Sequence, residues 1–174
     1  MQYVAFLRAI IVGKHNRIKM ADLRDALAGT GLVGVRTYLQ SGNLVFESDE
    51  APATLVLTIE AALTGMGCRN SDAVVLTRDE LLDILAMSPF SNHDPDRFRW
   101  MVTLLRDPLS PGAGEALESA GGGIVAVHER AICSVVEIAP GRSVDLSPRS
   151  KKSLETPATT RYWHVVAAMS ELFD

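Results

Sequence analysis

Gly34-Val35-Arg36-Thr37-Tyr38-Leu39-Gln40-Ser41-Gly42-Asn43-Leu44-Val45-Phe46-Glu47 is the stretch that decides the fold. Val35, Thr37 and Leu39 alternate with Arg36 and Tyr38, which marks a half-buried strand over Gly34 to Leu39. Ser41-Gly42 is a tight-turn signal, and Asn43 to Glu47 is the return strand of a hairpin. Upstream, Gln2 to Leu7 carries Tyr3, Val4, Phe6 and Leu7 and reads as a strand. A polar loop over Gly13 to Arg17 follows. Met20, Leu23 and Leu27 then recur at helical spacing, in a helix closing at Gly29 or Gly31. Downstream, Pro52 suits the first position of a second helix, whose apolar face holds Leu55, Ile59, Leu63 and Met66. Ala73 to Leu76 is a fourth strand. The order βαββαβ predicts a ferredoxin-like half, with two helices on one face of a four-stranded antiparallel sheet. The opposite sheet face then needs a cover or a ligand.

The pattern loosely repeats. Thr77-Arg78-Asp79-Glu80 forms a capping box ahead of Leu81, Leu82, Ile84 and Leu85, and Ser88-Pro89 ends that helix. Ser91 to Asp96 is a polar loop. Arg99 to Leu105 is a strand, and Ser110-Pro111 opens a short helix closed by Gly121-Gly122-Gly123. Ile124 to Val127 and Ala131 to Ile138 flank a second hairpin turn. After an irregular segment from Pro140, a last helix is expected to start at Thr159 or Thr160, with Val166, Met169 and Phe173 towards the core. The expected fold class is α+β with two ferredoxin-like halves. The expected division is 1–77 for the first half, 78–97 for a connecting helix and loop, and 98–174 for the second half.

The chain has 174 residues and a formal net charge of −4. That length can bury roughly two-thirds of the unfolded surface without disulfide or metal staples. A net −4 excludes a uniformly basic binder, but the charge is uneven. Residues 8–24 and 142–161 together carry +7, and the remainder carries −11. Cys68 and Cys133 form no metal pair, redox motif or disulfide framework. No apolar run reaches the roughly 18 residues of a membrane span, and the first residues lack a signal-peptide pattern. A reduced cytoplasm is the expected compartment, with no membrane partner, cofactor or metal.

Reaction templates fail. The four histidines, His15, His93, His128 and His164, lie in separate segments with no metal-ligand spacing. Gly13-Lys14 lacks the spacing of a phosphate-binding P-loop, and no nucleophile elbow occurs. His93 beside Asp94 reads as an exposed turn. Three motifs stand out instead. Arg8, Lys14, Asn16 and Lys19 lie on a strand end that runs into a helix N-terminus, where free N–H groups suit an anion. Gln40, Ser41 and Asn43 offer polar groups at the hairpin turn. Thr160 and Arg161 sit at the expected start of the last helix, where a cation faces the wrong end of the helix dipole unless an anion meets it.

These motifs resemble the bacterial domain-of-unknown-function 1697 family over nearly the whole length. That family's Leu-Arg-Gly-Ile-Asn-Val-Gly-Gly appears as Leu7-Arg8-Ala9-Ile10-Ile11-Val12-Gly13-Lys14, followed by Asn16-Arg17-Ile18-Lys19-Met20. Its Thr-Tyr-x-Gln-Ser-Gly-Asn appears as Thr37 to Asn43, and its Thr-Thr-Arg-Asn-Trp-Asn as Thr159-Thr160-Arg161-Tyr162-Trp163-His164. The resemblance implies two ferredoxin-like halves and candidate residues, without a reaction. Ala9 stands for a usual glycine, which forbids easy positive φ. Ile11, Tyr162 and His164 stand for usual asparagines, and Val144 for a usual lysine. These departures point to a changed or a lost site.

The expectation is a non-catalytic module. The first-strand loop, the hairpin and the Thr159–Arg161 segment would converge on one electropositive groove for a phosphate-bearing small molecule or RNA. One alternative is an enzyme acting on a phosphorylated metabolite, with Lys19 or His15 as proton carrier. Another is a structural protein that forms a homo-oligomer.

Overall fold

The computed structural model describes residues 1–10, 18–138, 154 and 156–173. Lys14, His15 and Asn16 of the first-strand loop, and Val144 with the irregular segment around it, lie outside the described residues. The chain divides into two compact units, Met1–Leu81 with Met169–Asp174, and Leu82–Ala168. The dividing points fall inside helices, so the last residues of the chain belong with the first unit.

In the first unit, strand β1 (Gln2–Arg8) leads to helix α1 (Met20–Leu27). Strands β2 (Val33–Tyr38) and β3 (Asn43–Glu47) form the hairpin, and helix α2 (Pro52–Gly65) precedes strand β4 (Asp72–Thr77). The sheet order is β2-β3-β1-β4 with every pair antiparallel. This is the ferredoxin-like arrangement expected from the element order. Tyr3, Ala5 and Leu7 of β1 join Leu44, Phe46, Ala73 and Val75 in one core with Leu23, Leu27, Ile59 and Leu63 of the helices. Burying each large apolar side chain contributes about 1.5–3 kcal/mol. The alternate residues Val4, Phe6, Val74 and Leu76 are also closed to solvent. Both faces at the centre of the sheet are therefore buried.

The hairpin connection differs from the tight turn expected from Ser41-Gly42. Four residues, Leu39 to Gly42, link the strands. Leu39 and Gly42 both take left-handed backbone, at φ 58° and 76°. Gly42 has no alternative. Its carbonyl accepts from the Leu7 N–H at 2.7 Å, and a Cβ there would lie 2.8 Å from Leu7 Cβ and collide with Ile10.

Helix α3 (Arg78–Ala86) begins as its capping box dictates. The Thr77 N–H donates to Glu80 Oε2 at 2.7 Å, and the Glu80 N–H donates to Thr77 Oγ1 at 3.1 Å. Two orphan donors are thus satisfied reciprocally.

The second unit holds strand β5 (Phe98–Leu105), helix α4 (Pro111–Ala120), and strands β6 (Ile124–His128), β7 (Ala131–Glu137) and β8 (Ala158–Tyr162). Its sheet order, β6-β7-β5-β8, repeats that of the first unit. Leu105, Leu117, Ile132 and Ala158 form a core on one face, while Val102, Leu104 and Cys133 are closed to solvent as well. The second half therefore has four strands, not the three read from sequence. Ala158 to Tyr162 is a strand, and helix α5 (Trp163–Ser170) starts later than Thr159 or Thr160. β-branched Thr159 and Thr160 favour extended backbone. Pairing with β5 then fixes it: Thr160 lies opposite Thr103, and their hydroxyls bond at 2.9 Å. Val166 and Met169 of α5 are buried as expected, and so is Phe173, which lies beyond the end of that helix. Among the described residues, no helix is long and apolar enough to cross a membrane.

Candidate functional site

Sheet register assembles one end of the first unit. β1 runs antiparallel to both β3 and β4, so its C-terminal end lies beside the starts of those strands. Arg8 stands opposite Asp72 and forms an ion pair with it at 3.1 Å. Arg8 is 53% exposed, and an ion pair that open to water contributes only about 0–1 kcal/mol. Its guanidinium is therefore held in place without being locked.

Ala9 follows in left-handed backbone, at φ 59°. This is the position where glycine was expected from the motif, and the chain keeps the conformation that suits glycine. Ile10 is buried and packs over Gly42. Three of the four non-glycine residues with positive φ among the described residues, Ala9, Leu39 and Asn70, sit at this one end of the sheet. Such conformations cost about 1–3 kcal/mol each and persist where the surroundings enforce them.

The hairpin residues divide by role. Gln40 is exposed and Ser41 half-buried. Asn43 is fully buried, and its amide donates to the Tyr38 carbonyl at 2.8 Å and to Ser41 Oγ at 3.0 Å. Asn43 is thus a positioning residue that shapes the loop from beneath. Lys19 is exposed at the N-cap of α1 and its own side chain makes no cap bond. Arg8, Gln40 and Ser41 share this end of the sheet, and the chain that leaves it at Arg8 enters α1 just after Lys19.

Sequence reasoning missed Asp72 and Ser71. Asp72 is the carboxylate that holds Arg8. Ser71, beside it, has a buried hydroxyl without a hydrogen-bond partner among the described residues. Only the register of β4 against β1 could have revealed either.

Thr160 and Arg161 belong to the second unit. Arg161 lies in β8 opposite Val102, two residues before α5, so it is not in the first turn of the last helix as expected. Its Nη1 donates to Thr159 Oγ1 at 2.8 Å and to the Thr160 carbonyl at 3.0 Å. Burial lowers its pKa to about 10, which leaves it charged at neutral pH. The Thr160 hydroxyl is engaged with Thr103. Tyr162 and His164, the residues that replace expected asparagines, stack on each other at 5.6 Å and 13°. An aromatic pair thus stands where two amides would have offered donors and acceptors. The loop at His93 is a turn held by Asp94, whose Oδ1 accepts from the Asp96 N–H at 2.8 Å. Among the described residues, no three His, Cys, Asp or Glu side chains are grouped to hold a metal.

Residues 1–132 match the family described as protein of unknown function (DUF1697), and the chain belongs to that family. It is also similar in fold to a solved structure, conserved bacterial protein SP0830 from Streptococcus pneumoniae. The TM-score is 0.65 at 20% identity, covering 99% of this chain and 98% of that one. No curated protein matches the chain.

Proposed function

We propose that this DUF1697 member is a non-catalytic module that binds an anionic, phosphate-bearing small molecule at the Arg8 end of its first sheet. The observation that carries the reading is the gathering there of an exposed, carboxylate-steered Arg8, the exposed Gln40 with half-buried Ser41 beside it, and three left-handed non-glycine residues. Backbone strain concentrated at one sheet end suits a place shaped for a ligand. Lys19, at the mouth of α1, adds a second cation beside the N–H groups of that helix's first turn. Lys14 and Asn16 belong to the same connection and would complete the polar set.

A small ligand is favoured over RNA by one observation. Ferredoxin-like RNA binders stack bases on an open sheet face, and here Val4, Phe6, Val74 and Leu76 on that face are buried. The compartment this reading implies is a reducing cytoplasm, in keeping with two buried free thiols, Cys68 and Cys133.

The test is thermal denaturation of the full chain with inorganic phosphate, pyrophosphate and a nucleoside monophosphate. At least one probe should raise the melting temperature. Arg8→Ala and Lys19→Ala should each remove most of the rise, since a charged hydrogen bond is worth about 1.5–3 kcal/mol. No rise with any probe, or a rise that survives both substitutions, would refute the proposal. A single-stranded RNA that binds with a steep salt dependence would replace it with a polyanion reading.

A further inference from the structure

Four asparagines occur in the chain, Asn16, Asn43, Asn70 and Asn92. The side-chain amide of an asparagine is open to attack by the main-chain nitrogen of the next residue. Three features favour that attack: a small side chain on the next residue, access of water, and an attacking N–H that no hydrogen bond holds.

Asn70 meets all three conditions. It is exposed in the link between α2 and β4, and Ser71 follows it. β4 is an edge strand, so its outer N–H groups have no sheet partner. The Ala73 N–H is taken by Glu60 Oε1 at 3.0 Å. The Ser71 N–H, two residues earlier, has no acceptor among the described residues. The backbone of Asn70 is left-handed, at φ 56°. Asparagine tolerates that region better than most L-residues but still holds it at a cost. Leaving it to close a ring therefore relieves strain.

The other asparagines fail at least one condition. Asn43 is fully buried, and its amide donates to the Tyr38 carbonyl and to Ser41 Oγ. Asn92 is exposed, but the His93 N–H that would attack it donates to the Phe90 carbonyl at 2.9 Å. Asn16 precedes the bulkier Arg17 and lies outside the described residues.

We propose that Asn70-Ser71 is a site of spontaneous deamidation. The deprotonated Ser71 nitrogen attacks Asn70 Cγ. The new N–Cγ bond closes a five-membered imide, the Cγ–Nδ2 bond breaks, and ammonia leaves with a proton from solvent. Water then adds to either imide carbonyl. Opening at Cγ yields aspartate at position 70, and opening at the main-chain carbonyl yields isoaspartate. The chain gains one negative charge at the end of the sheet that holds Arg8 and Asp72. The iso form also carries one extra main-chain carbon just ahead of β4. The conversion needs no ligand and is independent of the anion site proposed above.

The experiment incubates the full chain at neutral and at mildly alkaline pH, then maps its peptides by chromatography and mass spectrometry. The Asn70 peptide should convert first, into two products of equal mass and different retention, and faster at the higher pH. Asn92 should convert about fivefold more slowly, since its hydrogen bond must open first. Asn43 should stay intact. In urea, where no fold protects either position, Asn70 and Asn92 should convert at similar rates. Asn70→Gln should stop the reaction at that position, because the longer side chain closes a six-membered ring only slowly. Ser71→Val should slow it by crowding the imide. That variant should also fold, since an apolar group replaces a buried hydroxyl that lacks a partner. No conversion at Asn70, conversion of Asn43 or Asn92 as fast as Asn70 in the folded protein, or a preference for Asn70 that persists in urea would overturn the proposal.

Discussion

Ala9→Gly should stabilise the protein, against the usual outcome of trading alanine for glycine. Ala9 sits at φ 59°, in the left-handed region that crowds an L-residue's Cβ against its carbonyl oxygen. That crowding costs about 1–2 kcal/mol, and glycine removes it. Glycine also gives the unfolded chain more freedom, which returns about 0.4–1 kcal/mol. The net gain is therefore about 0.5–1 kcal/mol, or a rise of about 1–4 °C for a chain of this size. The comparison is Ala5→Gly, four residues earlier, inside β1. Ala5 is extended, fully buried and paired with Val75 and Leu44. There glycine relieves nothing and loses about 0.5–1 kcal/mol of backbone order besides the buried methyl. Urea titrations of both variants at constant slope would measure the two changes. Opposite signs are expected. If Ala9→Gly loses stability as Ala5→Gly does, the left-handed conformation at Ala9 is not the source of strain argued above.

Asn43→Ala should cost about 2 kcal/mol in the same titration, because it removes two donors from a fully buried position and leaves the Tyr38 carbonyl without one of its partners. A loss below about 0.5 kcal/mol would mean that the loop holds its shape without that amide. Burial pushes the Cys133 thiol up from 9.0 to about 12. Between those values the unfolded chain has released the proton and the native protein has kept it, so this group makes stability fall as pH rises above about 9. Relative to Cys133→Val, the native protein should lose up to about 1.4 kcal/mol per pH unit in that window. Parallel stability curves for the two proteins from pH 8 to 10.5 would contradict it.

Much of this architecture is legible in short stretches of sequence. Alternation over Gly34 to Leu39 and the apolar spacing of α1 and α2 are local signals, and β2 and the two helices form where they are read. The capping box at Thr77 and Glu80 was read from four residues and forms as read, because both of its hydrogen bonds lie within one turn. What escaped depends on distant partners. Thr159-Thr160-Arg161 reads equally well as a helix cap, and only its ladder with β5 makes it a strand. The Ser-Gly signal hid a four-residue connection, since Leu39 adopts the backbone usually left to glycine. At the candidate site, Arg8, Gln40 and Ser41 were visible as polar residues at element ends. The carboxylate that steers Arg8 was not, because Asp72 is brought to it by register alone. Asn43 was visible but misleading: a polar side chain beside a turn can face a ligand or hold the turn together, and this amide holds the turn.

Strands β1 and β5 each lie between two hydrogen-bonded neighbours and are closed to solvent on both faces over much of their length. Their backbone amides can exchange with deuterium only when the surrounding sheet comes apart. Each unit thus carries its own slow clock. Amides of Val4 to Phe6 time the opening of the first sheet, and those of Val102 to Leu104 the opening of the second. Equal protection at the two places would mean that the chain melts as one cooperative body. Unequal protection would mean that one half can open while the other stays folded, and the difference between the clocks would give the free energy separating the two events.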